Sequence, residues 1–97
     1  MGPQNMSIEQ VTVADEQMKQ LTAYIAEKFL KGKKVELTKD TPLVSSGLVD
    51  SFAMIEVFLE LQKVTGRKIP ASKVQAKDMD TVRSMLALAE RFGKIKN

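Results

Sequence analysis

Cysteine and histidine are both absent from this chain of 97 residues. Without cysteine there can be no disulfide, no cysteine nucleophile and no thiolate metal site. Without histidine, the most common general base and zinc ligand of proteins is missing as well. We therefore expect no self-contained catalysis and no metal site.

Long apolar runs are absent too, and aromatic residues are few. No segment approaches the roughly 18 apolar residues that a membrane-spanning helix needs, and no basic stretch followed by an apolar run opens the chain. We therefore expect a cytoplasmic protein without a membrane span. With four phenylalanines, one tyrosine and no tryptophan, the chain offers no aromatic stacking platform, so nucleic acid is not an expected partner.

Length and composition suit one small domain. A hydrophobic content of 43% in 97 residues allows one core but leaves little for a second. Residues 1–7 are predicted to form a flexible tail, and residues 8–97 a single, monomeric helical domain. An earlier start of the first helix is an alternative, because Ser7-Ile8-Glu9-Gln10 has the spacing of a capping box.

Apolar residues at helical spacing predict three main helices, over about residues 12–31, 51–65 and 81–92. Glycines are expected to end them at Gly32, Gly66 and Gly93, and Asp80 is expected to be the N-cap of the third. The residues predicted to face the core are Met18, Leu21, Ile25 and Phe29 in the first helix, Met54, Val57, Phe58, Leu61 and Val64 in the second, and Val82, Met85, Leu86, Ala89 and Phe92 in the third.

The connections differ in length. Residues 32–49 are predicted to form a long loop, held to the core by Val35, Leu37, Leu43 and Leu48. Ala71 to Gln75 could form one or two helical turns. No run shows sustained alternation of apolar and polar residues, so a sheet is not expected. The predicted fold is all-α: a small bundle of three main helices plus one short helix, with a long first loop.

The most informative segment is Gly47-Leu48-Val49-Asp50-Ser51-Phe52, where the long loop is predicted to turn into the second helix. Either Asp50 or Ser51 is expected to cap this helix. The first backbone N–H groups of a helix lack intrahelical partners and carry partial positive charge. An anionic group attached at Ser51, such as a phosphodiester, would therefore be stabilised there.

Asp50-Ser51-Phe52 resembles the Asp-Ser-Leu attachment motif of the acyl and peptidyl carrier proteins, which lies at the start of their second helix. A three-residue match has little weight alone, and the order of the surrounding features makes the resemblance specific. It covers roughly residues 12–92 and extends through Thr41-Pro42-Leu43, Gly47-Leu48, Arg67-Lys68-Ile69-Pro70 and Asp80-Thr81-Val82.

The resemblance implies that Ser51 carries 4′-phosphopantetheine through a phosphodiester, and that the thiol of this arm holds an acyl group as a thioester. A separate phosphopantetheinyl transferase would attach the arm, with Asp50 helping to position the transferase magnesium ion. The chain would then be a free-standing acyl carrier protein, itself not an enzyme. It would serve acyl-loading and acyl-processing enzymes of fatty-acid, polyketide or specialised lipid synthesis.

The residues leave two alternatives open. One is a D-alanyl or other aminoacyl carrier protein, because Phe52 stands in place of the motif's leucine and is compatible with a specialised pathway. The other is an adaptor that keeps the carrier fold and binds partner proteins without cargo.

The second helix has more apolar surface than one contact with the core requires. Phe52, Ile55 and Leu59 fall on the side of Ser51. The resemblance implies that they contribute to partner docking and acyl-chain contact, whereas packing inside the bundle is the alternative for Ile55 and Leu59. Glu56 and Glu60 lie one turn apart, and solvated side chains or partner docking are expected there rather than acid–base chemistry.

Charge is unevenly distributed along the chain. Residues 1–50 hold six basic and seven acidic residues, for a net charge of −1, whereas residues 51–97 hold nine basic and five acidic residues, for +4. Many carrier proteins of fatty-acid synthesis are strongly acidic, so this chain departs from them and its partners need not match theirs. Solvated surface is the expected role of the basic residues Lys63, Arg67, Lys68, Lys73, Lys77 and Arg83.

Overall fold

A computed structural model describes residues 12–33 and 36–95. Its helices are α1 (Val13–Phe29), α2 (Ser51–Thr65) and α3 (Val82–Phe92), with two 3-10 turns at Ala71–Lys73 and Ala76–Met79 and two short strands, β1 (Arg67–Lys68) and β2 (Lys94–Ile95). Within the described ranges, the predicted bundle of three main helices is confirmed. The predicted tail at residues 1–7, the capping box that begins at Ser7 and the loop contact of Val35 lie outside these ranges.

Local signals explain where the helices begin and end. At the start of α1, Thr12 and Asp15 form a capping box, in which the Asp15 N–H donates to Thr12 Oγ1 (3.1 Å) and the Thr12 N–H donates to Asp15 Oδ2 (3.3 Å). At the end of α2, Gly66 adopts the left-handed conformation with φ of 67°, which glycine takes without the steric penalty of a Cβ atom.

The core lies where the three helices meet, and the long loop contributes two residues to it. The loop residues Leu43 and Val49 are buried, while Leu37 and Leu48 are partly buried and pack against the core, so these three predicted leucine contacts are confirmed. The fully buried helical residues are Leu21 and Ile25 in α1, Val57 and Leu61 in α2, and Val82, Met85, Leu88 and Ala89 in α3.

Leu88 is a core residue that the predicted face of α3 omitted. Helix α3 packs against α1, α2 and the second 3-10 turn, so its buried arc is wider than one stripe. Leu88 lies at the edge of that arc and is completely buried. A helix surrounded on several sides buries residues that a single-face pattern leaves out.

A small sheet is also present, and the prediction of no sheet was wrong. Strands β1 and β2 pair antiparallel, with Arg67 opposite Ile95 and Lys68 opposite Lys94. Each strand has only two residues, which is too short to show the alternation that identifies strands in a sequence. The pairing joins the end of α2 to the segment that follows α3.

The connection between β1 and α3 contains more helical turn than predicted. The turn predicted within Ala71–Gln75 is present at Ala71–Lys73, and a second turn follows at Ala76–Met79. The second turn buries Met79 against the core. Within the described part of the chain, no helix is both long and apolar enough to cross a bilayer.

Candidate modification site at the start of the second helix

The long loop is attached to the start of α3 through Asp80. The backbone N–H groups of Val44 and Ser45 both donate to Asp80 Oδ1 at 2.8 Å, and Ser45 Oγ donates to Asp80 Oδ2 at 2.8 Å. The Asp80 backbone carbonyl also accepts from the N–H of Leu43 at 2.7 Å. These bonds hold the loop a few residues before Ser51, and we call them the Asp80 latch.

The latch corrects the predicted role of Asp80, which is not the N-cap of α3. Thr81 is the N-cap, because its side chain accepts a hydrogen bond from the backbone N–H of Ser84 at 3.0 Å. The Asp80 carboxylate bonds the loop instead. The hydrogen bond from the Ser45 backbone N–H is the main cause that lowers the pKa of Asp80, and the bonds from the Ser45 hydroxyl and the Val44 N–H lower it further. Partial burial of the carboxylate raises the pKa but does not cancel these bonds.

A second attachment joins the loop to α3 at residues that are farther from Ser51 along the chain. The Arg83 guanidinium donates to both carboxylate oxygens of Asp40, at 2.6 and 3.0 Å, and the Arg83 backbone N–H donates to the carbonyl of Lys39 at 2.9 Å. The hydrogen bond from Arg83 lowers the pKa of Asp40. Both side chains are exposed, so this pair contributes less to stability than its short distances suggest.

Between the latch and α2 the chain turns at Gly47 and then caps the helix with Asp50. Gly47 has φ of 84°, a conformation that other residues rarely adopt. Asp50 Oδ1 accepts from the N–H of Ala53 at 2.8 Å, and the Asp50 carbonyl accepts the first helical bond, from Met54 N–H at 2.8 Å. Of the two predicted caps, Asp50 is therefore the one that the structure uses.

Ser51 is the first residue of α2 and its side chain is exposed. Among residues 12–33 and 36–95, its hydroxyl has no hydrogen-bond partner, and neither do the backbone N–H groups of Ser51 and Phe52. The hydroxyl is thus accessible and beside two donors at the positive end of a helix dipole. This arrangement accommodates a covalently attached anion.

The residues around Ser51 form an exposed apolar surface. Phe52, Ile55 and Leu59 are 81%, 56% and 59% exposed, and we call these three residues the apolar patch. At these exposures the bundle does not enclose Ile55 and Leu59, although part of each side chain is covered. Monomeric proteins usually bury or disperse such side chains, so a cluster of them is typical of a contact surface.

A groove adjoins the patch and shares Ile55 with it. It has a volume of about 280 Å³ and is lined by Met54, Ile55, Phe58, Ala71, Val74 and Met79. Every lining residue is apolar. The sequence predicted Met54 and Phe58 as core residues and did not predict that Ala71, Val74 and Met79 line a groove with them. The available signal was that these three residues, in and between the 3-10 turns, are all apolar.

The two glutamates of α2 lie in different surroundings. Glu56 is exposed and pairs with Lys28 of α1 at 3.5 Å, whereas Glu60 is partly buried. The charge of Glu56 is thus partly balanced within the bundle. The structure does not bring the two glutamates together with Ser51 in a common pocket.

Sequence comparisons with known proteins show the family of this chain. No family model matches the chain. The D-alanyl carrier protein 1 of Lactiplantibacillus plantarum is 33% identical over 63 residues, covering 65% of this chain and 79% of that protein. The probable acyl carrier protein PigG of a Serratia species is 33% identical over 72 residues, covering 74% and 83%. The D-alanyl carrier protein of Lacticaseibacillus rhamnosus is 30% identical over 79 residues, covering 81% and 98%.

The three relatives share one class, that of carrier proteins. The chain belongs to this family, which includes D-alanyl carrier proteins and acyl carrier proteins. Its fold is the small helical bundle that the spacing of apolar residues predicted.

Proposed function

We propose that Ser51 is the attachment point of 4′-phosphopantetheine and that the chain presents a cargo, held on this arm, to partner enzymes. The observation that carries the proposal is the exposed Ser51 hydroxyl at the start of α2, directly after the N-cap Asp50. The membership of the carrier family supports it. A carrier of this kind is not itself an enzyme.

The residues present fit the group. Ser51 Oγ would bear the phosphodiester, and the backbone N–H groups of Ser51 and Phe52 lie where its negative charge would be stabilised. Asp50 uses Oδ1 to cap the helix, and its other carboxylate oxygen is available for the magnesium ion of a transferase. The attached arm supplies a thiol, which a chain without cysteine lacks.

A separate phosphopantetheinyl transferase would carry out the attachment, with coenzyme A as the donor. In that reaction the Ser51 oxygen would form a bond to the phosphorus that bears the pantetheine, the pyrophosphate P–O bond of coenzyme A would break, and adenosine 3′,5′-bisphosphate would leave. The Ser51 proton would pass to a base on the transferase. The chain contributes the hydroxyl, the N-cap and the apolar patch against which the transferase and later partners dock.

The test is intact-mass analysis of the full chain after incubation with coenzyme A and a broad-specificity transferase. The expected result is a gain of one phosphopantetheine group in the wild type and in Ser72→Ala, and no gain in Ser51→Ala. Ser72 is a suitable control because it is also an exposed serine at the start of a helical segment. Folded wild-type protein that gains no mass would overturn the attachment.

The groove beside Ile55 favours an acyl cargo. An acyl chain could bury its methylene groups against the six apolar side chains of the groove, and each buried methylene contributes about 0.8 kcal/mol. A D-alanyl group has a single methyl and a charged ammonium, so the groove offers it little. We therefore propose acyl groups of fatty-acid, polyketide or specialised lipid synthesis as the cargo.

D-alanine is the second candidate, because two of the relatives are named as D-alanyl carrier proteins. The two cargoes predict different stabilities of the loaded chain. An octanoyl cargo should raise the melting temperature above that of the D-alanyl form, and Ala71→Leu, which narrows the groove, should remove the increase. Ala76→Leu is the control, since Ala76 is exposed on the second 3-10 turn and does not line the groove. Equal melting temperatures for both loaded forms would argue against the acyl cargo.

A further inference from the structure

Basic residues converge on a cleft that the proposed attachment at Ser51 does not use. The cleft has a volume of about 320 Å³ and lies between the 3-10 turns and the end of α3. Three cationic side chains line it, Lys73 and Lys77 from the turns and Arg91 from the helix, together with Phe92. We call these four residues the basic cleft.

Two of the cations are positioned by the same aromatic ring. Lys73 Nζ lies 5.8 Å and Arg91 Cζ 5.4 Å from the centre of the Phe92 ring. Cation–π contacts at these distances orient a side chain but leave its net charge uncompensated. Phe92 therefore holds two positive charges at one surface of the molecule.

The cleft contains little negative charge to balance them. Within the described residues, Lys73, Lys77 and Arg91 form no ion pair. The one carboxylate that lines the cleft belongs to Asp78, which is buried and accepts a hydrogen bond from the backbone N–H of Gln75 at 2.9 Å. Three cations against one carboxylate leave a site that an external anion would stabilise.

We propose that the basic cleft binds carboxylate side chains of an acidic segment on a partner protein. This proposal rests on the proposed function, since a carrier must meet partner enzymes. A nucleic acid fits less well, because Lys73 and Arg91 already lie over the Phe92 ring and that ring is only partly exposed, which limits base stacking on it. The opposite side of the same segment, through Ala71, Val74 and Met79, lines the apolar groove.

Charge contacts of this kind mainly determine which partner is chosen and how fast it associates. The apolar patch would then supply a contact common to several partners, and the basic cleft would favour those that carry an acidic segment. The surplus of positive charge in residues 51–97 has a specific use under this proposal.

The test is a titration of isotope-labelled full chain with a short all-glutamate peptide, followed through backbone amide shifts. Shifts are expected at residues 72–78 and 91–92, with affinity that falls as salt is added. The variant Lys73→Gln/Lys77→Gln/Arg91→Gln should bind the peptide at least about tenfold more weakly. The control variant Lys19→Gln/Lys33→Gln/Lys39→Gln removes the same charge from exposed sites elsewhere, and its affinity should change by about twofold or less.

Equal weakening in both triple variants would show that binding follows net charge alone and would overturn the proposal. Tighter binding of inorganic phosphate or of a DNA oligonucleotide than of the peptide at the same residues would also overturn it. The transferase reaction on the same variants separates this proposal from the proposed function. Modification of Ser51 tests only the proposed function. The peptide titration uses the unmodified chain, so its result does not depend on whether a transferase can modify Ser51.

Discussion

Asp50 and Ser51 are neighbours with different tasks. Asp50 holds the start of α2 through its 2.8 Å bond to the N–H of Ala53, whereas the Ser51 side chain makes no bond among the described residues. Asp50→Ala should therefore lower the free energy of unfolding by about 1 kcal/mol, and Ser51→Ala by less than about 0.5 kcal/mol. Chemical denaturation of the two variants measures both values. A larger loss in Ser51→Ala would mean that the serine is a structural cap.

Phe52 and Leu61 lie on the same helix, but truncating them should change stability by very different amounts. Phe52 is exposed and Leu61 is fully buried. Phe52→Ala should change the free energy of unfolding by no more than about 0.5 kcal/mol, while Leu61→Ala should lower it by about 2–5 kcal/mol. If the apolar patch contacts the transferase, Phe52→Ala should also raise the KM of the transferase for this chain as its substrate. A strong loss of stability without any change in KM would place Phe52 in the structure rather than at the interface.

At the scale of elements, the Asp80 latch connects the long loop to α3. Asp80→Asn keeps Oδ1 as the acceptor for the N–H groups of Val44 and Ser45 but loses the charge and the acceptor of the Ser45 hydroxyl. We therefore expect it to lower the free energy of unfolding by about 1–3 kcal/mol at neutral pH. It should also slow modification of Ser51, because the loop before Ser51 is held less firmly. Asp40→Asn is the matched control, since it releases the loop farther from Ser51. Equal rates of modification in the two variants would contradict a positioning role.

The pH dependence of the latch follows from the lowered pKa of Asp80. A carboxylate whose pKa is lower in the folded state stabilises the fold above its ordinary value, here 3.8, and loses that contribution as the pH falls through the lowered value. The difference in stability between wild type and Asp80→Asn should be constant near neutral pH and shrink below about pH 4. Denaturation at a series of pH values measures it. A difference that stays constant into strong acid would contradict the ionised latch.

At the scale of the whole molecule, the pairing of β1 with β2 requires a glycine at position 93. A Cβ atom there would clash with the carbonyl oxygen of Ala89 and would lie 2.9 Å from Cβ of Arg67. Gly93→Ala should therefore separate the strands and lower the free energy of unfolding by about 1–3 kcal/mol. Lys94→Ala, an exposed change in β2, is the control and should stay within about 0.5 kcal/mol of wild type. An unchanged stability in Gly93→Ala would mean that the strand pairing contributes little.

Much of this fold follows from the sequence, because its helices are long and periodic and two of them end at the predicted glycines, Gly66 and Gly93. The first ends earlier than predicted, at Phe29, with Leu30 and not Gly32 as its C-cap. The parts that could not be predicted depend on contacts between distant segments. Asp80 is of a residue type that is typical of an N-cap. Its carboxylate instead accepts hydrogen bonds from Val44 and Ser45 of the loop, and Thr81 is the N-cap. Leu88 becomes core only because α3 has neighbours on several sides.

The candidate site was accessible to sequence reasoning for a similar reason. The Asp50-Ser51 pair and the three residues of the apolar patch all lie within three turns at the start of α2, so one helix places them. The groove and the basic cleft both depend on how residues 71–79 pack against α2 and α3. No local pattern specifies that packing, and solvated surface was the leading interpretation of Lys73 and Lys77.

The most direct test of a carrier function is the state of Ser51 in protein isolated from its native host. Intact-mass and fragment-mass analysis, with thioesters preserved, should show phosphopantetheine on Ser51 and, in a fraction of the molecules, a cargo on the arm. The mass of that cargo would distinguish an acyl group from D-alanine. Native protein that is always unmodified at Ser51 would contradict the attachment and would leave a carrier-fold adaptor as the better description.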